Sequence, residues 1–118
     1  MARIITRGTL NDFVRNRVEP GLQPTVKDHL DAWYALVSHT AWRNSSHLKR
    51  QFHHASVISA ERVAFIIEGN RYRLVVAVDY RNAVVLVLWL GSHQEFDRID
   101  VRQVKFEKER YADSSGSH

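Results

Sequence analysis

Two arginines and a histidine stand at the ends of two neighbouring hydrophobic segments. Arg71 and Arg73 follow Gly69-Asn70 at the start of one segment, and His93 follows Gly91-Ser92 at the end of the next. A guanidinium group binds phosphate through paired N–H donors, and an imidazole can transfer a proton near neutral pH. Two guanidinium groups and one imidazole held together could therefore bind and cleave a phosphodiester.

Ordinary surface chemistry is the more common explanation for the same residue types. Arginines on a sheet face are more often solvated and paired with carboxylates than catalytic, and Glu68 and Glu95 are available as partners. A histidine after a strand is more often a helix cap or a surface residue. The residue types alone therefore leave both interpretations open.

A second group of cationic residues belongs to a predicted short helix over residues 45–52. Lys49 and Arg50 lie on its exposed face, and His53 and His54 follow it. Such a face is usually only solvated, although an RNA backbone could also lie along it. Adjacent histidines on a helix diverge, and no carboxylate stands at ligand spacing, so we expect no metal site here.

The periodicity of the apolar residues predicts which elements must position these side chains. Helical spacing predicts helices over residues 10–18 and from Thr25, as N-cap, to about residue 40, in addition to the short helix above. A short strand is expected over Arg3 to Thr6. After residue 61 the period changes to two, which indicates strands. The expected strands cover residues 62–68, 71–80 and 83–90, with a further edge strand over 101–106.

Short connections should join the three central strands into an antiparallel meander. Gly69-Asn70 suits a two-residue hairpin turn because both residues accept positive φ, and Arg81-Asn82 repeats the spacing. Alternation then assigns the apolar side chains of Leu74 and Val76 to the helix side. Arg71 and Arg73 should open a more polar, concave face near the first turn.

The register of the second hairpin makes this expectation specific. With a two-residue turn, Arg73 lies opposite Leu90, and Leu88 lies on the Arg73 face. Trp89 should then pack on the helix side. The corner that contains His93 should fall beside the two arginines.

Length and composition limit the class of protein. A chain of 118 residues supports one domain, expected over residues 1–111, and the polar end over 112–118 is typical of a disordered tail. The absence of cysteine excludes disulfides, thiolate nucleophiles and cysteine-based zinc sites. No phosphate-binding glycine loop, dinucleotide fingerprint or serine-hydrolase motif occurs.

Charge and hydropathy bear on partners and location. A net charge of +4 and a pI near 9.8 suit a polyanionic partner, since basic patches attract phosphate. The longest apolar run, Ala83 to Gly91, has the length of a strand and falls well short of the ~20 residues of a membrane helix. The first ten residues lack the apolar region of a signal peptide, so we expect a cytoplasmic protein without a membrane partner.

Two motifs resemble those of a known family. The stretches EGNRYRLVV, from Glu68, and GSHQEFD, from Gly91, are similar in order and spacing to the HigB-type toxins of type II toxin–antitoxin systems. The motif Ala32-Trp33-Tyr34 and the tryptophan at position 42 agree with the N-terminal half of that family. The similarity extends over roughly Ala2 to Val104, and the two motifs together are fairly specific.

The resemblance implies a fold, an activity and partners. The fold would be α+β and RelE-like, with an N-terminal strand and two to three helices packed on a mainly antiparallel meander. The activity would be that of an mRNA interferase, an endoribonuclease that inhibits translation by cleaving mRNA on the ribosome. Cleavage would proceed by attack of the ribose 2′-OH, with neither metal nor other cofactor. Its partners would be mRNA, the ribosome and a HigA-like helix-turn-helix antitoxin.

The resemblance and the cationic residues together assign roles within this chain. Arg73 and His93 would be catalytic, with Arg73 holding the phosphate and His93 transferring a proton or contacting the substrate. The predicted RNA- or phosphate-binding residues are Arg71, Lys49, Arg50 and His54. Supporting or substrate-contacting roles are assigned to Glu95 and Phe96.

Two positions depart from the family pattern. Phe96 stands where the family usually has tyrosine, which removes a hydroxyl group. Leu88 stands where an arginine is expected, which removes a cation from the Arg73 face. Both departures favour an alternative in which the protein is a catalytically degenerate toxin fold that binds RNA or an antitoxin-like partner without cleaving.

Overall fold

Helices and a mixed sheet make up the α+β fold, as the sequence predicts. We describe residues 2–6, 8–106 and 111 of a computed structural model; the tail expected over 112–118 lies outside them. The elements are β1 (Arg3–Ile5), α1 (Thr9–Arg17), α2 (Gln23–Ser38), α3 (Ser45–Gln51), β2 (Ser56–Val57), β3 (Arg62–Ile67), β4 (Tyr72–Asp79), β5 (Val84–Ser92) and α4 (His93–Phe96), with a 3₁₀ turn at Pro20–Leu22. None of the described helices is long and apolar enough to cross a membrane.

The three predicted helices are present, with differences at their starts. Helix α2 begins at Gln23, so the prediction that Thr25 is its N-cap was wrong. The 3₁₀ turn leads directly into α2, and Pro24 stands in the first turn, where its missing N–H costs no intrahelical hydrogen bond. Asn44 caps α3, with its side chain accepting a hydrogen bond from the His47 N–H.

The sheet has the strand order β1-β5-β4-β3-β2. The meander from β3 to β5 is antiparallel, as expected, and β1 adds to β5 in parallel. Strand β2, which the sequence pattern did not predict, pairs with Val63 and Ala64 of β3. The edge strand predicted over residues 101–106 is wrong. That segment is irregular, and its carbonyl groups at Val101 and Val104 accept hydrogen bonds from the Arg62 guanidinium.

Helices α1 and α2 cover one face of the sheet. As alternation predicted, Leu74, Val76 and Val78 of β4 are buried on this side. Phe65 of β3 lies at the centre of an aromatic group, with ring centroids 5.5 Å from Trp33, 6.5 Å from Trp42 and 4.9 Å from Phe52. The contacts of Phe65 with Trp33 and Phe52 are edge-to-face, and such contacts add to the energy of simple burial.

A bulge interrupts the pairing of β4 and β5. The predicted register holds from Asp79–Val84 as far as Val76–Val87. Beyond it, Val75 pairs with Trp89, so one extra residue, Leu88, is accommodated in β5. Arg73 consequently pairs with Gly91 and not, as predicted, with Leu90.

The bulge also changes which face the later β5 side chains occupy. Trp89 lies with Leu88 on the face opposite the helices, so its predicted position on the helix side was wrong. These two residues are buried with Ala64 and Val75, and Phe96, Ile99, Val101 and Val104 pack over them. Because this cover is apolar, the polar surface expected on the Arg73 face is confined to its hairpin end.

Candidate functional site

The corner at the hairpin end of the sheet brings Arg71 and His93 together. The backbone N–H of His93 donates to the Arg71 carbonyl at 2.9 Å, which extends the β4–β5 pairing beyond Tyr72–Ser92. Both side chains line an open cleft of about 470 Å³, together with Glu19, Tyr72, Ser92 and Gln94. A guanidinium and an imidazole therefore face the same solvent-filled space.

A capping box positions His93 at the first residue of α4. The Ser92 hydroxyl accepts a hydrogen bond from the Glu95 N–H at 3.1 Å, and Glu95 Oε1 accepts one from the Ser92 N–H at 3.0 Å. Glu95 Oε2 accepts a hydrogen bond from Arg17 of α1 at 2.7 Å. The Glu95 carboxylate thus connects α4 to α1 and holds the corner in place.

The charged groups of the corner remain accessible. The Arg71 side chain is 60% exposed, and its Nε lies 2.9 Å from Glu68 Oε2. The His93 side chain is 44% exposed, and its Nε2 lies 3.6 Å from Asp97 Oδ2, one turn further along the chain. The imidazole is therefore within reach of solvent in the cleft.

Arg73 occupies a different environment from Arg71. Its guanidinium donates to the Asn70 side-chain oxygen at 2.7 Å and to the Asn70 and Tyr72 carbonyls at 3.2 Å. Its cross-strand partner on β5 is Gly91, which has no side chain that could cover the arginine. The hairpin turn therefore holds Arg73, and Arg71 is the arginine that shares the cleft with His93.

Tyr72 also lines the cleft, although the sequence analysis assigned it no functional role. Its ring packs edge-to-face on Phe13, with centroids 5.5 Å apart. Burial raises the pKa of the Tyr72 phenol, and the Arg71 charge opposes this only in part. The hydroxyl group is therefore protonated at neutral pH and available as a hydrogen-bond donor.

The second group of cationic residues lies towards the β2 side of the sheet. Lys49 donates a hydrogen bond to the Ala55 carbonyl, and Arg50 is exposed in the last turn of α3. His54 lines a cleft that reaches Glu68 and Gly69. Because Glu68 also pairs with Arg71, His54 and the corner approach the same hairpin turn.

The two positions that depart from the family pattern are packing positions in this protein. Phe96 is half-buried, with its ring centroid 6.2 Å from that of Trp89. Leu88 is buried in the same cluster, on the face predicted for it. The described residues contain no cluster of three or more His, Asp or Glu side chains that could hold a metal ion.

Comparison with known proteins gives one family match. The model of the HigB_toxin family, described as the RelE-like toxic component of a toxin-antitoxin system, matches residues 26–99, which is more than half of the chain. The matched range includes all but the first three residues of α2, the whole meander and the corner around His93. No curated protein matches the chain.

Proposed function

The chain belongs to the HigB toxin family of RelE-like toxic components of toxin–antitoxin systems, and on this premise we propose that it is a ribosome-dependent mRNA endonuclease. It would act in the cytoplasm, inhibit translation by cutting mRNA on the ribosome, and be neutralised by a HigA-like helix-turn-helix antitoxin. The single observation that carries the proposal is the exposed corner, where the His93 backbone pairs with Arg71 at 2.9 Å.

The proposed reaction is an in-line displacement at a phosphodiester. The ribose 2′-oxygen forms a bond to phosphorus, the bond from phosphorus to the 5′-oxygen breaks, and the products are a 2′,3′-cyclic phosphate and a 5′-hydroxyl. One proton leaves the 2′-OH and one reaches the departing oxygen, so neither water nor an oxidant enters the balance. His93, whose imidazole is accessible in the cleft, performs one of these proton transfers.

The cationic residues supply electrostatic stabilisation. Charge builds up on the non-bridging oxygens in the transition state, and guanidinium groups stabilise it when they are already in position. Arg71 contacts the phosphate from the cleft, and Arg73, held at the hairpin turn by Asn70, adds a second cation beside it. Tyr72 offers the hydroxyl donor that position 96 lacks. Lys49, Arg50 and His54 hold the RNA backbone further from the scissile bond.

A cleavage assay on translated mRNA tests this proposal. Primer extension after translation in a purified system should show cuts with the wild-type chain, and His93→Ala should reduce the cleavage rate by about 100-fold or more. Arg73→Ala and Arg71→Ala should each slow cleavage by at least about tenfold, because each removes a phosphate cation. Arg81→Ala is the matched control, since Arg81 is an exposed arginine at the opposite end of β4. Undiminished cleavage by both His93→Ala and Arg73→Ala would refute the site.

Product analysis tests the chemistry separately. A 2′-deoxy substitution at the scissile nucleotide should abolish cleavage, because the attacking hydroxyl is then missing. The 3′ fragment should carry a 5′-hydroxyl. A 5′-phosphate on that fragment would contradict attack by the 2′-OH.

A second candidate function is binding to RNA or to an antitoxin-like partner without cleavage. The packing of Phe96 and Leu88 into the cluster around Trp89 favours it, because family-like catalytic chemistry is missing at both positions. Under this alternative, wild-type protein would sediment with ribosomes or bind short RNA, yet primer extension would show no cuts.

A further inference from the structure

A groove runs along the β2 side of the molecule, between α2 and the connection from α3 to β2. Its volume is about 360 Å³. Helix α2, the connection and β3 each form part of its wall; the lining residues used below are His29, Trp33, Leu36, His53, His54 and Ile66. The groove lies away from the cleft of Arg71 and His93, and one end of it, at His54, approaches the hairpin turn of the site.

Exposed apolar side chains border this groove. Leu36 is 51% exposed and Ile66 is 38% exposed, which makes them two of the large apolar residues most open to solvent among the described residues. Burial of this apolar surface by a partner is favourable, because it removes apolar side chains from water. RNA backbone is a poor occupant, because phosphate needs cations more than apolar surface.

The groove also offers unused hydrogen-bonding groups. The Trp33 indole N–H is buried among residues that line the groove, and it has no hydrogen-bond partner among the described residues. Strand β2 pairs only with Val63 and Ala64, and the Arg62 carbonyl accepts from the N–H groups that follow β2. Residues 65–67 of β3 therefore form the open edge of the sheet in the described part of the chain. Backbone groups on such an edge can bond the main chain of a peptide.

The charge of the groove differs from that of other clefts. Its described lining has three imidazoles and no carboxylate, and the Lys49 ammonium donates to the carbonyl of Ala55, another lining residue. Three further clefts in the described part of the chain contain carboxylates, from Asp31, from Glu61 and Asp79, or from Glu19. The cleft that adjoins the groove shares His29 and His54 with it and adds Glu68, whose carboxylate pairs with Arg71. A partner segment with carboxylates is therefore complementary to this groove and less so to the others.

We propose that this groove binds a segment of the antitoxin in which apolar residues are flanked by carboxylates. The inference rests on family membership, which implies an antitoxin partner, and it gives that partner a place on the surface. The apolar residues cover Leu36 and Ile66, and the carboxylates lie near His29 and His53. Because the groove ends at His54, the bound segment also restricts access to the hairpin turn beside Arg71.

Binding of the purified chain to its antitoxin tests the docking site. Isothermal titration calorimetry should show that Leu36→Glu weakens the complex by about 30-fold, because it places a charge in the apolar contact. His29→Glu should weaken it by about tenfold through repulsion of the acidic segment. Tyr34→Glu is the matched control, since Tyr34 is 43% exposed on the same helix but lines the pocket towards α1. Its affinity should stay within about threefold of wild type.

The folding of each variant and the location of the antitoxin contact are checked in the same samples. Thermal melting establishes that each variant is folded, and hydrogen exchange of the wild-type complex should show protection at residues 51–55 and 65–67. Wild-type affinity in both Leu36→Glu and His29→Glu would overturn the docking site, as would an equal loss in Tyr34→Glu. If Leu36→Glu and His29→Glu lose binding to a short RNA but keep wild-type affinity for the antitoxin, the groove is an RNA site and the docking proposal is overturned.

The calorimetric result separates this inference from the proposed activity. If the wild-type chain cleaves no mRNA while Leu36→Glu still weakens antitoxin binding, the nuclease function fails and the docking site stands. If cleavage is normal and both groove variants bind the antitoxin like wild type, the docking site fails and the nuclease function stands.

Discussion

The two faces of the sheet are covered in different ways. On one face, regular helices α1 and α2 bury an apolar surface that runs along the whole of β4. On the other, four buried residues are covered by α4 and the irregular segment that follows it. The helix face therefore carries the main core, whereas the second face changes from apolar in the middle to polar at the hairpin end.

The candidate site stands where the cover of the second face begins. Helix α4 starts with His93, at the end of β5, and the chain then continues over Leu88 and Trp89. The segment that covers this small core thus also places the imidazole beside Arg71. Packing and site geometry are coupled on this face, which the following substitutions test in order of expected effect.

Phe65→Ala should be the most damaging change. It removes the ring around which three other aromatic side chains pack on the helix face, and such truncations cost about 3–5 kcal/mol of unfolding free energy. Guanidinium denaturation measures the loss. Ile66→Ala, the exposed neighbour, is the control and should cost less than about 1 kcal/mol. Equal losses would mean that the helix face is not the main core.

Leu88→Arg should destabilise the protein by about 2–4 kcal/mol, because an unpaired cation would enter a buried apolar cluster. It restores the residue type that the family pattern has at this position. Leu88→Met keeps the volume and should cost less than about 1.5 kcal/mol. A stable Leu88→Arg protein with faster mRNA cleavage would show that the second face is open rather than covered.

Arg62→Met should loosen the cover without unfolding the helix face. The Arg62 guanidinium bonds the carbonyls of Val101 and Val104, and loss of such charged hydrogen bonds costs about 1.5–3 kcal/mol. Hydrogen exchange should accelerate over residues 99–106 while α2 remains protected. Exchange that accelerates equally in α2 would contradict the separation of the two faces. Arg81→Met, at an exposed turn, is the control.

Ser92→Ala should have the smallest effect on stability and a clear effect on activity. It removes the hydroxyl that accepts from the Glu95 N–H, which costs about 1 kcal/mol for a helix cap. If His93 transfers a proton, a misplaced imidazole should slow cleavage. The slowing should exceed what the small loss of folded protein explains. Ser92→Thr keeps the cap oxygen and should retain activity. Normal cleavage by Ser92→Ala would show that the cap does not position His93.

Local patterns predicted most of the fold. Periods of 3.6 and 2 located α1 to α3 and the three central strands, and alternation along β4 assigned Leu74 and Val76 to the correct face. For the site, Arg73 and His93 were predicted to be catalytic, and the structure places Arg71 and Tyr72 in the cleft with His93; the functional roles stay predictions.

The amino-acid sequence by itself determined the three main helices, the central meander and their order, because backbone geometry makes periodicity and turns local properties, and its motifs carried the family resemblance. Only the tertiary structure decided which side of the sheet Trp89 occupies and which arginine shares a cleft with His93. The bulge at Leu88 changes the face of every later β5 residue, and it is stabilised by contacts with Ile99 to Val104 and their neighbours, more than ten residues away in the chain. Such long-range packing leaves no periodic signal in the sequence, so it had to be seen in the fold.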